Sequence, residues 1–222
     1  VSGVEFGLAM LFDQANSGLS WTALQATAKE VAFVGVQGVT ASARDLLVQI
    51  NQVSGAGASD AKVIDFAGAR ALAVATGNTS SVKLDMAGSQ GRLLRASGSF
   101  DLDVAGFVQV SGSLGIEKSH ADMALADGSV VTVDTLTLGG TGLTGFAGVS
   151  GIGFSLKNAE FALALMRPSN TAQRGTQWMA LELSADELAF VGVPMVEMYS
   201  CLLPVFAGMV TTVVHEIPSS ET

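Results

Sequence analysis

Val4-Glu5-Phe6-Gly7-Leu8-Ala9-Met10-Leu11 returns 155 residues later as Ala159-Glu160-Phe161-Ala162-Leu163-Ala164-Leu165-Met166. In both copies large apolar side chains alternate with smaller or charged ones. That period of two belongs to a β-strand, in which successive side chains point to opposite faces. A polar loop follows each copy, Phe12 to Ser20 in the first and Arg167 to Gln177 in the second. Beyond it the match resumes at an offset of 157, from Trp21-Thr22-Ala23-Leu24 against Trp178-Met179-Ala180-Leu181 to Phe33-Val34-Gly35-Val36 against Phe190-Val191-Gly192-Val193. The two blocks are identical at 4 of 8 and 10 of 16 positions, and they place both tryptophans of the chain at equivalent points. Self-similarity of this kind is the mark of a repeat protein. Residues 1–158 therefore read as one full β repeat unit. Residues 159–222 read as a partial second repeat whose divergent end resembles a terminal cap. Phe6, Trp21, Phe33 and Gly35, with Phe161, Trp178, Phe190 and Gly192, are the expected structural anchors.

The same alternation runs through the rest of the chain. Phe100-Asp101-Leu102-Asp103-Val104 is apolar at even positions, and the even set continues through Val108, Val110, Leu114 and Ile116. Thr40 to Asn51 reads as a strand, since Val48 and Ile50 suit the pleat as well as they suit a helix. Glu182 to Leu188 has the composition of a helical turn. Turns are expected at Ser54 to Gly57, Gly77-Asn78, Ala87 to Ser89, Ser111 to Ser113, Gly139-Gly140 and Gly148 to Gly153. Asp127-Gly128 reads as a hairpin loop between Met123 to Ala126 and Val130 to Val133. Between Val131, Val133 and Leu136, Leu138 the apolar phase reverses, which predicts a β-bulge near Asp134. Gly and Ala opposite the large residues of Val4 to Leu11 predict a strand buried on both sides. The expected fold is all-β: an elongated repeat, either solenoid-like or a layered long-stranded sheet, with tight glycine-rich turns.

Composition narrows the function classes. Hydrophobic residues make up 49% of the 222 residues and charged ones 14%, so the chain is built to bury surface rather than to remain disordered. Twenty acidic against eleven basic residues give a net charge of −9, with no basic cluster to neutralise phosphates, so nucleic acid is not an expected partner. One cysteine, Cys201, leaves no disulfide framework, and its apolar setting from Tyr199 to Val205 reads as an inert thiol. Met198 to Val214 is the longest uncharged apolar stretch, and Pro204, Gly208 and the β-branched run at its end suit strands better than a membrane helix. Val1 follows no signal-like segment, so the chain reads as a processed product or a piece of something longer.

No residue set reads as a reaction centre. His120 and His215 lie 95 residues apart, outside any zinc-binding spacing. No G-x-S-x-G elbow occurs, and Gly139-Gly140-Thr141-Gly142 lacks the Lys of a phosphate loop. Asp101 and Asp103 project from one strand face about 7 Å apart, given a rise near 3.3 Å per residue. They are the candidate calcium ligands or a general acid/base pair, competing with a plain solvent-facing role; Asp60, Asp65 and Asp85 add carboxylates without a calcium-loop motif.

Phe161-Ala-Leu-Ala-Leu165, Trp178-x-Ala-Leu181 and Phe190-Val-Gly-Val193, with Ala105-Gly106-Phe107-Val108 and Leu125-Ala126-Asp127-Gly128, resemble the long β-rich repeats of giant bacterial secreted and cell-surface proteins. The resemblance implies an adhesive or matrix-forming role outside the cell. Some such proteins carry calcium-binding nonapeptide repeats, but this chain has no G-G-x-G-x-D. The expected function is thus a non-enzymatic structural or adhesive repeat, extracellular or on a bacterial surface, whose partner is itself through sheet edges. The alternative is a module binding lipid or another hydrophobic ligand on an apolar groove.

Overall fold

The chain is all-β, and most of it forms one large antiparallel sheet. The computed structural model describes residues 1–15, 18–33, 35–55, 57–58, 61–169, 176–192 and the backbone of 215–216. The strands are β1 (Glu5–Phe12), β2 (Leu19–Phe33), β3 (Val39–Gly55), β4 (Leu72–Ala75), β5 (Ser81–Leu84), β6 (Leu93–Val104), β7 (Val108–Ala124), β8 (Val130–Val149), β9 (Ile152–Pro168), β10 (Trp178–Val191) and β11 (His215–Glu216). In space the sheet runs β1-β2-β3-β6-β7-β8-β9-β10-β11, and β4 and β5 form a separate hairpin. It is a meander in chain order, interrupted once by the segment carrying that hairpin. Among the described residues it neither closes into a barrel nor coils into a solenoid. Cys201 and Asp60, and the stretch from Met198 to Val214, lie outside the described residues.

Several glycine signals were strand signals. Gly112 lies inside β7 and Gly139-Gly140 inside β8, not at turns. A side chain on Gly140 would run into the Phe161 ring across the pair, so the missing side chain makes room on the sheet and does not bend it. A corner does fall at Ser150-Gly151, within the turn expected at Gly148 to Gly153, and another at Ala105-Gly106; both residues of each pair have positive φ, the conformation of tight hairpins. Glu182 to Leu188 lies within β10 and is extended.

The bulge predicted near Asp134 is also absent. Register there runs unbroken, Val133 to Pro168, Asp134 to Arg167 and Thr135 to Met166. The phase reversal arises because Val131 and Val133 face one side of a regular strand and Leu136 and Leu138 the other. Irregularity lies instead along a line crossing the middle of the sheet. Asp45 in β3, Gly142 in β8 and Asn158 in β9 have φ of 52°, 61° and 46°, and register shifts sit beside them. Each is one residue more than β6 and β7 carry at that level. An extra residue shifts the side-chain phase by one. Apolar residues are at odd positions in β9 above this crease (Phe161, Leu163, Leu165) and at even positions below it (Phe154, Leu156). The crease therefore keeps them all on one face.

The opposite face carries the core. Residues 61–92 cross over β1, β2, β3 and β6, packing Phe66, Leu84 and Met86 onto Ala23 and Leu93, with Ala9, Leu11, Ile64 and Val74 around them. Gly7 of β1 lies directly beneath Val74 and Val82. Buried Asn51 ties the segment to the sheet by donating Nδ2–H to the Ile64 carbonyl at 2.8 Å. β1 is thus covered on its small-residue side only; the expectation of burial on both sides fails because Phe6, Leu8, Met10 and Phe12 remain exposed.

Asp65 locks the crossing segment. Its Oδ1 accepts the backbone N–H of Gly88 at 2.8 Å and of Ala67 at 3.1 Å, and Oδ2 pairs with Arg70. The Gly88 and Ala67 N–H groups, with Arg70 beside them, hold this carboxyl below its ordinary value of 3.8. A lowered folded-state value gives stabilisation that is complete above the ordinary value and is lost as pH falls through the lowered one. Asp65→Ala is therefore expected to lower the thermal midpoint at pH 7, with the gap to wild type closing below pH ~4. A gap that stays constant down to pH ~2 would contradict this role.

Candidate functional site

Three surfaces could bear function: the uncovered apolar face, the polar half of the other face, and a histidine cluster at one end. The apolar face is assembled from every long strand. Antiparallel partners share a face, so the chain of pairs Phe161–Leu183, Leu163–Leu181 and Leu138–Leu163 spreads laterally from β8 to β10. Ile116–Leu138 and Ala96–Ile116 carry it on to β6. Ile50–Leu94 and Leu24–Ile50 bring it to β2, and Leu8–Leu24 to the edge strand β1. Below the crease Phe154 and Phe190 continue it as an edge-to-face pair, centroids 5.2 Å apart at 67°. Eight long strands about 4.8 Å apart make an apolar surface on the order of 1,500 Å². Patches on ordinary soluble monomers reach roughly 300–600 Å².

The other face is polar where the hairpin segment does not cover it. A ladder crosses four strands: Gln49 Nε2 donates to Gln25 Oε1 at 2.9 Å, Arg95 Nη1 to Gln49 Oε1 at 3.2 Å, and Arg95 Nε to Glu117 Oε2 at 2.7 Å. Beyond the crease an open trough lies over β6 to β9, lined by Asp101, Asp103, Gln109, Ser111 and Lys157 among others. Asp101 and Asp103 do share this face, as their spacing predicts. Their oxygens already have partners: Asp101 pairs with Arg44, while Asp103 accepts from the Gly106 N–H at 2.8 Å and from Gln109 Nε2 at 2.9 Å. Among the described residues no group of three or more His, Cys, Asp or Glu side chains converges as a metal cage would require.

At the far end of β7 and β8 the apolar face gives way to Lys118, His120, Asp122 and Asp134. His120 Nδ1 lies 3.1 Å from Asp134 Oδ1 and 3.2 Å from Ser169 Oγ. A hydrolytic relay needs the carboxylate on one ring nitrogen and the hydroxyl on the other. Here both approach the same nitrogen, so the ring cannot take the Ser169 proton on one nitrogen while Asp134 orients it through the other.

The residues expected as anchors are placed as follows. Phe6 and Phe161 lie on the apolar face, as do Phe33, paired with Ala41, and Phe190, paired with Phe154. Trp21 and Trp178 lie on the opposite face, opposite Leu11 and Met166 respectively. Trp21 is fastened by its Nε1–H to the Lys62 carbonyl at 2.9 Å. Gly35 and Gly192 both follow the end of their strand with positive φ, 105° and 85°. Sequence reasoning missed the extent of the apolar face, because alternation shows that a strand has an apolar side but not that neighbouring sides join uncovered. No protein-family model matches this chain, and no curated protein or solved structure matches it.

Proposed function

We propose that this chain is a structural or adhesive β-sheet module of a bacterial surface or extracellular filament, acting without catalysis and assembling with further repeats of its own kind. The observation carrying the reading is the continuous uncovered apolar face. An exposed apolar surface of this size is costly in water, and a second sheet laid face to face would cover it at the usual ~10 Å separation. The resemblance to giant bacterial surface repeats supports the location. The engaged carboxylates and the one-sided histidine cluster support a structural role. Tandem-repeat organisation is part of the proposal, and the equal register of hairpins β1–β2 and β9–β10 supports it.

The same face also suits acyl chains, so a lipid-binding module is the second reading. Light scattering coupled to size exclusion separates them. The expected result is a particle of two or more 22.6 kDa chains, holding together at micromolar concentration and carrying no lipid. A monomer that co-purifies with lipid would replace the first reading by the second. A lipid-free monomer at high concentration would overturn both.

A further inference from the structure

β1 forms one edge of the sheet, and among the described residues no strand pairs with its outer side. Edge strands of soluble proteins are usually blunted by proline, lysine or a bulge. β1 has none of these, and its sole charge is Glu5. Its sequence belongs to an interior strand. β9 carries the same pattern and makes the same pairs on one side: Leu8–Leu24 corresponds to Leu163–Leu181, and Leu11–Trp21 to Met166–Trp178. On its other side β9 is occupied by β8.

We propose that the outer edge of β1 accepts one antiparallel strand with the residue pattern of β8, in the register β8 uses on β9, supplied by another repeat of this kind in which that strand has a free edge, since within this sheet β8 is already paired with β7 and β9. The inference rests on the self-assembling reading above and specifies its contact. In that register Leu136, Leu138 and Gly140 of the incoming strand stand opposite Met10, Leu8 and Phe6, as they stand opposite Leu165, Leu163 and Phe161.

Three observations converge on this partner. Phe6, Leu8 and Met10 are 60%, 47% and 60% exposed, whereas Phe161 and Leu163 are half-buried and Leu165 is 38% exposed. The presence of β8 on one pair and its absence on the other accounts for that difference. Next, the Phe161 ring occupies the space that Gly140 leaves, and Phe6, at the equivalent position of β1, would make the same demand on an incoming neighbour. Pairing β1 with another β1 would not supply a glycine to both phenylalanines. Finally, Glu160 accepts a hydrogen bond from Thr141 Oγ1 of β8 at 3.1 Å, while the equivalent Glu5 has no such partner among the described residues.

Register-specific disulfide capture tests the proposal on the full chain. In a Cys201→Ser background, Leu8→Cys or Met10→Cys is mixed in a glutathione redox buffer with a peptide of residues 130–149 carrying Leu138→Cys or Leu136→Cys. Directly opposed residues lie about 4.5–5.5 Å apart between Cα atoms, within disulfide reach, while positions two residues out of register lie at the outer limit or beyond. Leu8→Cys should capture the Leu138→Cys peptide and Met10→Cys the Leu136→Cys peptide, with the crossed combinations largely failing. Adding Gly140→Val to either peptide should abolish capture. A circular dichroism spectrum matching the parent chain qualifies each variant. Absent capture, equal capture in all four combinations, or capture that survives Gly140→Val overturns the proposal. If light scattering shows an oligomer and capture fails, the edge contact falls while self-assembly stands. If capture follows the register on a monomeric chain, the edge contact stands and the covered-face reading falls.

Discussion

Leu84→Ala is expected to reduce the free energy of unfolding by about 2–5 kcal/mol, the range for truncating a fully buried leucine. Leu84 has no exposed surface and sits where β5 meets the sheet, in one cluster with Phe66, Met86, Ala23 and Leu93. Surrounding atoms cannot collapse far into the space, because the sheet below is held by its ladder and the crossing segment above by Asp65. The loss should be local first. In hydrogen exchange, amides of residues 61–92 should lose protection while β7 to β9, which contribute no residue to this cluster, keep theirs. Urea denaturation measured on Leu84→Ala and on Leu8→Ala gives the contrast. Leu8 is 47% exposed on the open face, so its truncation should cost a dilute, dissociated chain less than about 1 kcal/mol. Equal losses for the two would contradict the assignment of core and open face.

The second large effect concerns assembly. Leu8→Asp together with Leu181→Asp places a carboxylate near each end of the apolar face, on β1 and β10. Both positions face solvent in the single chain, at 47% and 37% exposure, and there the ions stay hydrated. Under a packed second layer each would be stripped of water with no cation opposite, at a cost of several kcal/mol. Association should weaken on the order of a thousandfold or more, since each 1.4 kcal/mol is a factor of ten. Light scattering over a dilution series reads this directly, and thermal unfolding of the dilute chain should change little. An oligomer that persists through both substitutions would place the contact elsewhere than on this face.

Asp65 and the apolar face show how much of the molecule could be read beforehand. Period-two alternation announced the strands of β1, β6 and β9 correctly, because side-chain alternation is a local property of extended backbone, whereas β7 runs straight through the turn expected at Ser111 to Ser113. The hairpin loop at Asp127-Gly128 was legible for the same reason: Gly128 takes φ of 83° between the ends of β7 and β8. Asp65 carried no sequence signal as a lock, since its partners Gly88 and Arg70 are brought to it only by the folding of the crossing segment. Nor was the outcome at Asp101 and Asp103 legible: their shared face followed from spacing, but Arg44 and Gln109 arrive from neighbouring strands.

From the amino-acid order alone come the β class, the alternating faces and the likeness of Val4–Leu11 to Ala159–Met166, all set by interactions within a few residues or by direct comparison. The tertiary structure decided the rest. It showed that Gly112 and Gly140 are strand residues, that the phase changes gather into one crease at Asp45, Gly142 and Asn158, and that the hairpin segment covers one face while the other stays open. These depend on which strand lies beside which, and a residue such as Gly140 is explained only by Phe161 on its neighbour.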